Sequence, residues 1–137
     1  GRGRFVPAQF KPAAELPDAD YPFVLITGRV LEHWHTGAMT RRSAALDALE
    51  PEPHIDAHPD DLAALDCRAG DFVTLETRRG KVSAKARADA GLARGTLFMP
   101  FCYAEAAANL LTNPVLDPFG KIPEFKYCAA RLSCSAR

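Results

Sequence analysis

No charge of one sign predominates in the 137-residue sequence: seventeen Lys and Arg are balanced by seventeen Asp and Glu. The basic excess expected of a general nucleic-acid binder is missing, so nucleic acid is not an expected partner. No apolar run approaches the roughly 18 residues needed to cross a bilayer. No basic head followed by an apolar stretch and a cleavage site opens the chain. A soluble domain without membrane contact is therefore expected. The four cysteines, Cys67, Cys102, Cys128 and Cys134, include no C-x-x-C pair, which removes the usual zinc and iron–sulfur spacings. They read as reduced thiols buried as small hydrophobes, which favours a reducing compartment. G-x-S-x-G, G-x-x-x-x-G-K-[ST] and a strand-following G-x-G-x-x-G are all missing, so neither a hydrolase nucleophile elbow nor a conventional nucleotide loop is present.

What is there is a globular composition, 47% apolar and 25% charged, which disfavours disorder and coiled coil. A single domain of this size can bury roughly 68–70% of its unfolded surface. The chain opens Gly1-Arg2-Gly3-Arg4 rather than Met, as expected of a fragment or processed product whose function lies partly outside it. Residues 1–22 hold Pro7, Pro12, Pro17 and Pro22 with little periodicity and read as an extended arm, with one ordered domain over 23–137.

Phe23-Val24-Leu25-Ile26, closed by Thr27-Gly28, reads as a buried strand. Ser43 to Glu50 has helical spacing with Ser43 as N-cap, and 59–66 a helix entered through Pro59. A short strand fits His54 to Ala57, and two alternating runs, Phe72 to Thr77 and Val82 to Ala88, read as a hairpin. Another core strand is expected over Gly95 to Pro100, an Ala-rich helix over Ala104 to Leu111 and a last strand over Phe125 to Leu132. Strands mixed with short helices, without regular βαβ alternation, point to a compact α+β or barrel-like domain.

Three clusters carry unusual chemistry. The first, Thr27 to Arg42 (TGRVLEHWHTGAMTRR), concentrates the single Trp, two of the four His and three Arg. A strand that delivers Gly28 and then Arg29 offers backbone N–H groups and a planar fork of donors, suited to phosphate or a polar fused heterocycle. His33 and His35 fall on opposite faces of an extended chain, which disfavours a shared metal. The second is Phe101 to Thr112, where Asn109 stands in an apolar helix and needs partners for its amide. The third is Lys121 to Cys128, where Lys126 beside Phe125 could donate to an anion.

These clusters, in this order from about Tyr21 to Leu132, resemble the C-terminal cofactor-binding domain of the dimethyl sulfoxide reductase family of molybdenum and tungsten enzymes. TGRVLEHWHTGAMTRR is similar both to formate dehydrogenase catalytic subunits and to periplasmic-type nitrate reductases. Glu105-Ala106-Ala107-Ala108-Asn109-Leu110-Leu111-Thr112-Asn113, Leu116-Asp117-Pro118 and Lys121-Ile122-Pro123-Glu124-Phe125-Lys126 look more like formate dehydrogenase.

The resemblance implies a mainly β domain with short helices, a double-psi β-barrel. It implies a cap over bis(molybdopterin guanine dinucleotide) carrying Mo or W, with no metal ligand and no catalytic residue in this chain. The expected cofactor-binding residues are Thr27, Gly28, Arg29, Val30, Leu31, Glu32, His33, Trp34, His35 and Thr36 in the first loop, with Phe101, Asn109, Phe125 and Lys126. An iron–sulfur cluster is expected only in more N-terminal parts of the parent chain. Partners would be those domains and iron–sulfur electron-transfer subunits, in the cytoplasm or alternatively the periplasm. The isolated domain would be catalytically silent. The equivalent nitrate reductase domain, or a separate molybdopterin-binding subunit, is the alternative. A pyruvoyl enzyme self-cleaved at Gly-Ser is excluded, because no Gly-Ser pair occurs.

Overall fold

The computed structural model describes residues 1–135. Six strands, β1 (Phe23–Gly28), β2 (His54–Ala57), β3 (Phe72–Glu76), β4 (Lys81–Ala88), β5 (Thr96–Pro100) and β6 (Cys128–Cys134), are joined by two six-residue helices, α1 (Ala44–Leu49) and α2 (Pro59–Ala64). The strands close into a barrel in the order β1-β5-β2-β4-β3-β6. The expectation of a mainly β barrel with short helices holds.

Alternation does most of the work. β3 and β4 pair antiparallel, with Val73 opposite Ala84 and Leu75 opposite Val82, and these four side chains are buried while the residues between them face outwards or are half-buried. Leu25, Ile55, Leu97 and Met99 complete the centre, each with no exposed surface. β1 differs from the expected fully buried strand: Leu25 and Thr27 point inwards, whereas Ile26 is 37% exposed.

The helices follow local chemistry. α2 starts at Pro59, and the His58 ring nitrogen caps it by accepting from the Asp60 N–H at 3.1 Å. Its buried Asp61 accepts from the Gly95 amide at 2.6 Å and ties the helix to the entry of β5. Ser43 precedes α1 in an extended conformation, but its hydroxyl makes no capping bond.

Two expectations are corrected. Ala104 to Leu111 is not a helix; only a three-residue 3₁₀ turn forms at Ala108–Leu110. Ala106, Ala108 and Leu111 are each drawn into the core, Glu105 is bound by Arg41 at 2.6 Å, and the Leu111 carbonyl accepts from Thr77 and Arg79. Those tertiary partners outweigh the helix propensity of alanine, which a short segment cannot turn into a helix by itself. The second concerns the cysteines. Cys67 and Cys134 form a disulfide with Cα atoms 5.7 Å apart, leaving Cys102 and Cys128 as the free, buried thiols.

The arm is anchored at its inner end. Glu15 accepts from the Ala129 amide at 2.8 Å and pairs with Arg79. Residues 1–12 carry no secondary structure and are exposed.

Candidate functional site

The site begins where β1 and β5 end together. They run parallel, with Thr27 beside Met99 and Gly28 beside Pro100, so the loop after β1 and the segment after β5 leave the barrel side by side. The Phe101 amide donates to the Gly28 carbonyl at 3.2 Å, and the Arg29 guanidinium lies 5.9 Å from the centre of the Phe101 ring. Buried Thr27 reaches across the chain, its hydroxyl donating to the Phe125 carbonyl at 2.6 Å. Phe125 lies edge-on to Phe101, ring centres 6.5 Å apart. Gly28 has no room for a side chain, since a Cβ there would meet the Phe98 ring at 2.5 Å.

Arg29, His35, Thr36, Phe101, Asn109 and Phe125 together line a cleft of about 300 Å³. A second cleft of about 650 Å³ is lined by Arg29, Val30, Leu31, Glu32, His33 and Trp34, with Thr40 and Leu46. Arg29 is common to both. Of the fourteen expected residues, Thr27, Gly28 and Lys126 lie outside these linings: Thr27 and Gly28 act from beneath, and the exposed Lys126 ammonium sits 5.7 Å from the Phe125 ring centre. The two volumes fall in or near the roughly 300–1,000 Å³ range of ligand sites.

The loop between the clefts is held by a buried histidine. His33 is 2% exposed, and its Nε2 is 2.8 Å from the Glu50 carbonyl. Its Nδ1 is 3.3 Å from the Thr40 hydroxyl, which already accepts from the Trp34 amide at 2.9 Å. One arrangement satisfies all three contacts: Nε2 carries the proton, and Thr40 donates to Nδ1. His35 faces the other way, exposed and at φ +50°, its ring 4.4 Å from Trp34. The stretch is built of bends and a turn and is not the extended chain on which strand alternation would part the two rings, and no group of three metal-binding side chains occurs among the described residues.

Charge separates the arginines of the loop. Arg41 is neutralised: its guanidinium grips both Glu105 oxygens at 2.6 and 2.7 Å, bonds Asp47 at 3.1 Å and covers the Tyr103 ring at 4.8 Å. Although burial works against its ionisation, Glu105 is held below the usual carboxylate range by its backbone amide and by Arg41. Burial pushes the Tyr103 hydroxyl upwards in pKa, so it stays a neutral donor to the Glu50 carbonyl at 3.1 Å. Arg29 and Lys126, by contrast, make no salt bridge among the described residues. The site therefore presents two free cations beside aromatic walls, an arrangement suited to an anion joined to a flat ring system.

Asn109 departs from its expected environment. It is exposed on the 3₁₀ turn and faces the first cleft. The asparagine that is buried is Asn113, which donates to Glu124 at 3.1 Å and to the Tyr127 carbonyl at 3.0 Å and accepts from the Val115 amide. Its Asn-Pro step is the sequence signal for a chain reversal. Sequence reasoning also missed Glu50. Its carbonyl takes both His33 and Tyr103, while its carboxylate is 3.0 Å from Arg87 and 3.0 Å from His54 Nε2, the latter outside hydrogen-bonding alignment. Nothing in its spacing marks that role.

Residues 23–129 match the molydopterin dinucleotide binding domain family. The chain is 48% identical over 132 residues to the F420-dependent formate dehydrogenase subunit alpha of Methanocaldococcus jannaschii, and 41% identical over 132 residues to the F420-dependent formate dehydrogenase 1 subunit alpha of Methanococcus maripaludis. Each match covers 96% of this chain and 20% of the relative. Among solved structures, acetylene hydratase from Pelobacter acetylenicus superposes with a TM-score of 0.75 at 19% identity, over 85% of this chain and 19% of that one; at that identity the likeness speaks for the fold.

Proposed function

The chain belongs to the molydopterin dinucleotide binding domain family, and from that premise we propose that it is the cofactor-capping part of a formate dehydrogenase catalytic subunit, binding bis(molybdopterin guanine dinucleotide) with Mo or W. The observation that carries this reading is Arg29, which makes no salt bridge among the described residues, stands at the junction of the two clefts and has its guanidinium 5.9 Å from the Phe101 ring centre.

The residues fit the group. Arg29 and Lys126 meet the diphosphate charge, Asn109, Thr36 and the loop backbone read polar ring edges, and Phe101, Phe125 and Trp34 shield flat surfaces from water. Thr27, Gly28 and His33 act from below by fixing the backbone that carries these contacts. When bound, the cofactor supplies the metal centre for two-electron oxidation of formate to carbon dioxide. No group of three metal-binding side chains occurs among the described residues, and on this reading the chain's part is to bind, orient and exclude water, with the isolated domain expected to be inactive. The metal ligand, the iron–sulfur cluster and the docking of electron-transfer subunits belong to other parts of the parent enzyme. The formate reading over the nitrate one is favoured by the names of the two similar methanococcal subunits.

The test is metal and pterin content of the natural full-length polypeptide, with formate- and nitrate-dependent dye assays. Molybdenum or tungsten, two guanine dinucleotides and formate oxidation are expected. Nitrate reduction without formate oxidation would overturn the substrate, and a matured preparation free of pterin would overturn the reading as a whole.

A further inference from the structure

Outside the two clefts, four ionisable side chains close a circuit behind the loop that lines them. Asp56, 4% exposed, takes the Arg87 guanidinium on both oxygens at 2.8 Å and accepts from His54 Nδ1 at 2.7 Å. Glu50 faces the same two partners: Arg87 Nη1 donates to its Oε1 at 3.0 Å, and His54 Nε2 lies 3.0 Å from that oxygen. His54 is 5% exposed, and its Nε2 is buried without a hydrogen-bond partner among the described residues.

The chemistry of that last contact turns on one proton. Asp56 accepts from Nδ1, so that nitrogen carries a hydrogen, and Nε2 carries another only in the imidazolium. With it, two carboxylates face two cations, and Nε2 attracts the Glu50 carboxylate. Without it, the circuit keeps one net negative charge and sets a nitrogen lone pair against a carboxylate oxygen away from water, where such a mismatch is costly. The neighbouring charges are matched elsewhere: Lys85, opposite His54 across β2 and β4, bonds Glu52 at 2.6 Å, Asp89 supports the charge of Arg87, and Arg41, over the Tyr103 ring, is taken by Glu105 and Asp47.

Glu50 joins this circuit to the site. Its carbonyl is the shared acceptor of His33 Nε2 and the Tyr103 hydroxyl, which anchor the loop after β1 and the segment after β5. The rings of His54, Tyr103 and His33 also meet in series, edge-on, with centres 6.4 and 5.8 Å apart. We propose that Glu50 and His54 are positioning residues for the two clefts: protonated His54 holds Glu50 where its carbonyl fixes His33 and Tyr103, and loss of that proton loosens both loops. Neither residue lines either cleft, so both act through His33 and Tyr103. The hold is present at about pH 5 and lost towards about pH 8, the interval in which an imidazole changes charge. Asp56 stays ionised there: burial opposes its charge, but the bonds from His54 and Arg87 prevail. The inference rests on the cofactor reading for its purpose and not for its mechanics.

The experiment follows amide hydrogen exchange of the natural full-length enzyme by mass spectrometry at about pH 5 and about pH 8. Rates are scaled to intrinsic exchange at each pH, with peptides over β3 and β4 as the internal reference. Exchange over residues 29–42 and 101–105 is expected to quicken several-fold at the higher pH in the native sequence. His54→Gln, which cannot gain a charge, should abolish that difference. Glu50→Gln should abolish it too, because its amide donates to a neutral Nε2 and keeps the contact. A merely structural role predicts faster exchange in both variants at both pH values, with no such rescue. No pH difference in the native enzyme, or the native difference persisting in Glu50→Gln, overturns the proposal; if His54→Gln fails to fold, Glu50→Gln decides it alone. Pterin content of the same preparations separates the two readings. A pH-dependent loop in a pterin-free enzyme upholds the positioning role and sinks the cofactor assignment, and a pH-independent loop in a pterin-loaded enzyme does the reverse.

Discussion

Replacing Gly37 by alanine probes how tightly the loop after β1 is pressed onto the segment behind it. Gly37 has φ +73°, and a Cβ built on it would lie 2.6 Å from the Cys102 carbonyl oxygen and 2.8 Å from Arg41 Cγ. The left-handed backbone costs a non-glycine residue about 1–2 kcal/mol, and forcing a methyl group against fixed backbone adds about 1–3 kcal/mol. The total is about 2–5 kcal/mol. Gly70 is an internal control, with φ +91° and nothing within 4 Å of its Cβ position, so Gly70→Ala should lose only the backbone part, about 1–2 kcal/mol. The gain from restricting the unfolded chain is common to both substitutions and cancels in the comparison. Urea unfolding gives the two losses. Trp34, the sequence's single tryptophan, reports the position, because its carbonyl accepts from the Gly37 amide at 2.9 Å. Gly37→Ala should shift its native-state emission and Gly70→Ala should not. Equal stability losses with unchanged emission in both would refute the close approach of this loop to Cys102.

Three further outcomes follow from the same geometry. In the intact enzyme, Arg29→Ala and Lys126→Ala should each lower pterin occupancy, removing about 1.5–3 kcal/mol of charge-assisted bonding, with melting of the apo chain nearly unchanged; full occupancy in both would contradict the assignment. Arg41→Ala should do the reverse first, lowering chain stability by about 1–3 kcal/mol, since it leaves Glu105, Asp47 and the Pro51 carbonyl without their donor. Burial works against ionisation of Asp56, but hydrogen bonds from His54 at 2.7 Å and Arg87 at 2.8 Å prevail and depress its pKa. A carboxyl depressed on folding stabilises the protein above its unfolded pKa of about 3.9 and loses that contribution as the pH falls through the lower folded value. Acid titration of unfolding should therefore be steeper below pH ~4 for the native sequence than for Asp56→Asn; identical slopes would remove Asp56 as the cause.

The sequence made local periodicity legible and long-range partnership mostly not. Alternation located β3 and β4, and the apolar runs closed by Gly28 and Pro100 located β1 and β5, because each signal is contained in a few consecutive residues. The Ala-rich stretch misled because its fate depends on Arg41 and Thr77, distant in sequence, rather than on alanine's propensity. The final strand was expected from Phe125 but starts at Cys128; Phe125 is drawn instead to Thr27 at the cleft. At the site, the pattern named the loop and its arginines. It could not tell neutralised Arg41 from free Arg29, since that distinction is made by Glu105 and Asp47 reaching it in space. Family resemblance supplied Asn109 and Lys126, which spacing alone leaves indistinguishable from a packed amide and a solvated lysine.

Strand order gives the barrel a timetable. β6 is the sixth strand in sequence, yet it sits between β1 and β3 and bonds to both. A growing chain that has made every other strand still carries two bare edges, each able to pair with a neighbouring molecule. The first strand must also wait for β5 to find its parallel partner, a non-local pairing that slows folding. Because Thr27 holds Phe125 just before β6, the cleft wall and the closing seam are completed in the same late event. A ligand of the first cleft would accordingly meet a finished barrel rather than one still being threaded, and a chain halted before β6 would keep both edges open to a neighbour.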